Sequence, residues 1–145
     1  MNKILPLVFL CILSANVFAQ SSLTIDKLER SAITQAKKEV AFSALLEGTI
    51  ADPDLEVFVF VHQPQLNRWR PFPATTDIKP EPNGQYRWRA ICLFGELNGK
   101  GVGGSYQARA MAFDKQTSRK GLPEIDSASA IAAAKTEVIV LKRVK

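Results

Sequence analysis

The chain has 145 residues, 46% hydrophobic and 23% charged, with 19 basic and 14 acidic side chains and a formal net charge of +5. That length makes one ordinary domain that buries its own core. The positive balance is mild and the Lys and Arg residues are dispersed, which argues against a nucleic-acid partner and leaves affinity for anionic surfaces open.

At the N-terminal end, Lys3 precedes the apolar run ILPLVFLCILSANVF, with Val17 and Ala19 at the cleavage-site positions ahead of polar Gln20. The run is short for a membrane anchor and no positive cluster follows it. Leu10 before Cys11 does not suit a lipoprotein signal. Residues 1–19 therefore read as a secretory signal cleaved after Ala19, which places the mature chain in the periplasm or outside the cell with no membrane span. Cleavage leaves 18 basic residues (19 − 1) against 14 acidic, a charge of +4, and one cysteine, Cys92. A single thiol forms no internal disulfide, and in the apolar run WRAICLF Cys92 reads as a small buried hydrophobe.

Residues 20–38 read as a polar leader, in which TIDKLERSAITQAKK allows a short helix from Asp26. From residue 39 the pattern is that of strands. Val40, Phe42, Ala44 and Leu46 alternate with their neighbours up to the turn ADPD. LEVFVFVH is apolar on both faces, as a central buried strand is. RWRPF carries Pro71 and Pro73, which confine it to an edge or bend, and TTDIK is short. EPNGQ is a turn, since Asn-Gly accepts positive φ. YRWRAICLF and SYQARAMAF are long strands joined by the glycine-rich GELNGKGVGG, which reads as a flexible connection. DKQTSRKGLPE reads as an exposed connection, SASAIAAAK as a helical turn or extended lead-in, and TEVIVLKRV as a last strand. About seven strands with little helix predict an all-β, Ig-like antiparallel β-sandwich over residues 39–145, without the Cys…Trp…Cys arrangement of antibody domains.

Residues 57–113 carry an apolar strand ending near His62 and Pro64, a tryptophan strand beside a proline, Asn83-Gly84, a second tryptophan strand, Phe94-Gly95, a glycine-rich stretch and Tyr106-x-x-x-Ala110. This run resembles uncharacterised bacterial extracytoplasmic β-sandwich domains. It departs from them in Gln63, between His62 and Pro64, and in Arg70 after the first tryptophan. The resemblance implies a fold and a location, and no activity.

The residues assemble no catalytic constellation. His62 is the only histidine, and VHQPQ supplies neither nucleophile nor orienting carboxylate. One histidine and one cysteine are too few for a transition-metal site, and Asp52-Pro53-Asp54 reads as a turn. Gly99, Gly101 and Gly104 match G-x-G-x-x-G, but a strand follows where a phosphate-binding loop needs a helix.

The remaining candidates are basic and polar. Arg68-Trp69-Arg70 and Arg87-Trp88-Arg89 repeat one tripeptide. Strand periodicity sends each tryptophan to the face opposite its arginines, so Tyr86, Trp88, Ala90 and Cys92 form an inward row that Trp69 joins. If the two strands pair, Arg68, Arg70, Arg87 and Arg89 make one positive patch, with Asp77, Glu81 and Glu56 at hand to neutralise it. With Asn98 and Lys100 of the glycine-rich loop, these arginines are the candidate binding residues. The expected function is a non-enzymatic binding module of the cell envelope, without cofactor or metal, whose partner is an envelope or extracellular protein or an anionic polymer. Two alternatives are an inhibitor of an extracellular enzyme acting through residues 95–104, and a polyanion or polysaccharide binder using the arginine face.

Overall fold

The computed structural model describes residues 22–34, 38–122 and 124–145; the segment read as a secretory signal, residues 1–19, lies outside them. In chain order the elements are β1 (Lys27–Leu28), β2 (Ser31–Ala32), β3 (Glu39–Val40), β4 (Ser43–Ile50), β5 (Glu56–Gln63), β6 (Arg68–Pro73), β7 (Thr75–Thr76), β8 (Tyr86–Leu93) and β9 (Ser105–Phe113), then α1 (Lys115–Arg119), α2 (Ile125–Ile131), β10 (Ala134–Lys135) and β11 (Ile139–Arg143). One sheet runs β2-β1-β4-β8-β7 and the other β3-β11-β9-β5-β6, with β10 also paired to β9. The strands pair antiparallel except β3, which lies parallel to the end of β11.

Period-two alternation builds the core between the sheets. Leu46 and Ile50 of β4, Trp88, Ala90 and Cys92 of β8, Val57, Val59 and Val61 of β5, and Tyr106, Ala108, Ala110 and Ala112 of β9 all bury there. Alanines along β9 let the large Trp88 and Tyr106 interdigitate without overfilling the layer.

One expectation is corrected. The leader's helix from Asp26 is instead a hairpin, β1–β2, with Glu29 and Arg30 at φ 50° and 65° in its turn. It pairs along β4, Lys27 opposite Glu47, and buries Leu28 in the core. Gly48 makes the approach possible, because a Cβ there would lie 1.7 Å from the Thr24 carbonyl oxygen. The stretch after β9, read as an exposed connection, is exposed and holds the short helix α1, none of whose residues is buried. Asp114 caps α1 by accepting from the Thr117 amide (2.8 Å), an interaction that holds its carboxyl below the usual range. Leu122, with Ile125 and Ala128 of α2 and its C-cap Ala132, then packs on Phe60, Met111 and Phe113. This second layer explains why β5 is apolar on both faces.

Candidate interaction surface

The two Arg-Trp-Arg strands belong to different sheets. β6 pairs with β5, whereas β8 pairs with β4 and β7. The chain passes from one sheet to the other after Ala74, whose amide still donates to the Val57 carbonyl of β5 (2.9 Å). The single four-arginine patch expected from the sequence is therefore not formed. Trp88 is fully buried between the sheets. Trp69 does not join that row; it sits half-buried on the outer face of the other sheet, its ring 5.3 Å from that of His62.

The charges of Arg87 and Arg89 are engaged. Arg87 is 8% exposed and reaches Asp26 at 2.7 Å through Nη1 and Glu81 at 2.5 Å through Nε. These hydrogen bonds raise its pKa and, from the other side, the Arg87 guanidinium holds the Glu81 carboxyl below its ordinary value. Arg89 pairs with Glu47 through Nε (2.8 Å) and with Asp77 through Nη1 (2.7 Å). Of the three expected neutralisers, Asp77 and Glu81 act as such, while Glu56 accepts instead from the Ser118 hydroxyl. The depression of about 410 Å³ beside this network is lined by Lys27, Arg30, Leu45, Glu47, Glu81, Arg87 and Arg89. Its arginines from β8 are committed to carboxylates.

The opposite situation holds at the end of the sandwich where the β5–β6 turn meets the β8–β9 loop. Gly95, Gly99, Gly101 and Gly103 adopt φ between 82° and 96°, which coils residues 95–104 into successive turns. The loop is tethered, contrary to its flexible appearance in the sequence. Arg143, 2% exposed, donates through Nη1 to the carbonyls of Phe94 (2.8 Å) and Lys100 (2.9 Å) and through Nε to that of Lys145 (3.0 Å). Its guanidinium carbon lies 5.4 Å from the Phe42 ring centroid. The Tyr106 hydroxyl donates to the Gly101 carbonyl (3.3 Å) and accepts from the Gln65 side-chain amide (3.0 Å). Gln63 donates to the Leu93 carbonyl (3.1 Å) and accepts from the Gly95 amide (3.3 Å). The Asn98 side chain caps the Lys100 amide at 3.0 Å, a structural task.

From this fixed base Leu66, Leu97 and Val102 project at 61%, 81% and 49% exposure. Lys100 and Lys145 are exposed beside them. Arg68 stands opposite Gln63 and so next to the loop's root. Arg70 follows on the same face, stacked 5.1 Å over Phe72. Among the described residues none of these four cations is in an ion pair.

His62 Nε2 lies 3.4 Å from the Asn67 side-chain oxygen. Burial pushes the Cys92 thiol up to about 12, far from thiolate at neutral pH. The G-x-G-x-x-G match runs directly into β9. No family model matches the chain, and no curated protein matches it in sequence.

Proposed function

We propose that this protein is an exported, non-enzymatic binding module with an immunoglobulin-like fold, and that its contact surface is the end formed by residues 64–67 and 95–104. The order β1-β4-β8-β7 facing β11-β9-β5-β6 supports the fold reading, since it parallels strands A-B-E-D and G-F-C-C′ of such domains. So does Tyr106, at the start of the strand equivalent to F with its hydroxyl on a carbonyl five residues upstream, as in a tyrosine corner. Ala108, buried two residues later, stands where antibody domains carry a cysteine.

The observation that carries the binding reading is the combination of a loop pinned by a buried arginine with leucine and valine side chains held out in water. Exposing Leu97 costs solvation free energy that a flexible loop would relieve by folding the side chain inward. Export rests on residues 1–19, and N-terminal sequencing of protein recovered from periplasm or medium is expected to begin at Gln20. Leu97→Asp with Val102→Asp is expected to abolish capture of the partner from an envelope extract while circular dichroism stays unchanged. An identical set of captured partners overturns the reading.

The same preorganised loop favours a second reading, an inhibitor that seats residues 95–104 in the cleft of an extracellular enzyme. Loss of target-enzyme inhibition in Leu97→Asp distinguishes it from simple adhesion. The polyanion alternative narrows to the unpaired cations at this end.

A further inference from the structure

We propose that the loop end docks on an anionic lipid surface, with Leu66, Leu97 and Val102 entering the boundary between headgroups and acyl chains and Arg68, Lys100 and Lys145 pairing with lipid phosphates. The inference rests on reading this end as the contact surface. Its chemistry selects the occupant. The projecting side chains are all aliphatic, whereas the anchors of protein–protein interfaces are mostly Trp, Tyr and Arg in pockets. Lipid insertion needs only apolar side chains at the right depth with cations behind them. None of the described ion pairs involves a cation of this end, since all of them are on Arg87 and Arg89 in the other sheet. Within residues 95–104 Glu96 is the one carboxylate against Lys100, and the Leu66 turn adds Arg68 and no acid.

The two loops are also linked by hydrogen bonds. The Gln65 side-chain amide bonds to the Tyr106 hydroxyl, which in turn holds the Gly101 carbonyl, so the turn carrying Leu66 is coupled to the loop carrying Leu97 and Val102. Lys145 is brought to the same end because its carbonyl accepts from Arg143, the residue that holds Lys100. A surface already ordered in this way loses little conformational entropy on docking. Three short aliphatic contacts and three cations give reversible peripheral attachment, which requires both components together.

The test is flotation of the purified protein with vesicles of equal parts phosphatidylglycerol and phosphatidylcholine, against phosphatidylcholine alone. Binding is expected to the anionic vesicles, to weaken as salt screens the headgroups, and to be nearly absent on phosphatidylcholine. Leu97→Asp is expected to lower the partition constant about tenfold or more, and Lys100→Ala about fivefold. Both positions are exposed, so folding persists, and circular dichroism verifies it. Lack of binding to anionic vesicles overturns the proposal. So does binding that survives Leu97→Asp with Val102→Asp, because another segment then carries it. If vesicles fail but an envelope protein is captured and lost in that double variant, the contact surface stands and the lipid assignment falls. If neither vesicles nor extract respond, both fall.

Discussion

Replacing Arg143 by Met keeps the length and apolar stem of the side chain but removes the guanidinium that holds the β8–β9 loop. Three hydrogen bonds from a charged donor are lost, at 2.8, 2.9 and 3.0 Å, each worth roughly 1.5–3 kcal/mol. The stack on Phe42 adds about 0.5–1 kcal/mol. Against this stands relief of the cost of burying a cation, several kcal/mol for a side chain 2% exposed. The Phe94 carbonyl is left buried without its partner, whereas that of Lys100 is reachable by water. The balance is a net loss of about 2–4 kcal/mol, or a fall in Tm of roughly 10 °C for a domain of this size. Urea denaturation measures the first quantity. Hydrogen exchange measures the local consequence: the Glu96 amide, bonded to the Lys100 carbonyl at 3.1 Å, loses protection before the amides of β8 do. A loss under about 0.5 kcal/mol with unchanged exchange across residues 95–104 refutes the claim that Arg143 is what holds the loop.

Gly48→Ala is expected to cost about 3 kcal/mol or more, because the new methyl meets the Thr24 carbonyl oxygen at 1.7 Å and the Trp88 ring at 2.6 Å; a variant as stable as the parent in a thermal melt contradicts this. The Cys92 thiol, pushed up to about 12 by burial, resists a disulfide-exchange reagent in native protein and reacts at once in denaturant; prompt native labelling would place it at the surface. Arg87 lowers the Glu81 carboxyl below its ordinary value of 4.5, so the stabilisation is fully present above that value and is lost as pH falls through the folded-state pKa. Glu81→Gln should therefore lose less stability than the parent when urea midpoints are compared between neutral pH and pH ~3, and an equal loss in both proteins removes Glu81 from the account.

The long strands were legible because each carries its own evidence. Val57, Val59 and Val61 alternate with Phe58 and Phe60, and Trp88, Ala90 and Cys92 alternate with Arg89 and Ile91, so period and face follow from local residues. What was not legible depends on distant partners. β1 and β2 are two residues each, and TIDKLERSA has no strand period; Lys27 is a strand residue because it lies opposite Glu47. Arg87 looked available until Asp26, 61 residues away, was brought onto it. The glycine-rich loop looked flexible for the same reason, since its tethers Gln63, Gln65, Tyr106 and Arg143 come from three other segments. A signal for Arg143 did exist in the sequence: it follows Leu141 by two residues in VIVLKRV, which assigns it to the buried face of the last strand. Leu97 and Val102 were likewise visible as apolar residues in a stretch otherwise made of turn formers.

The helical segment that covers the second sheet has a bearing on how the chain reaches its native state. Phe60 comes from β5, yet the residues that shield it, Leu122 to Ala132, lie some sixty positions further on, after both sheets' main strands have been made. Until they arrive, an assembled sheet displays Phe58, Phe60, Met111 and Phe113 as one adhesive plane, the kind of transient surface on which partly folded chains aggregate. Loosening the α2 cover would therefore show itself first as a poor yield of soluble protein and only afterwards as a lower melting temperature.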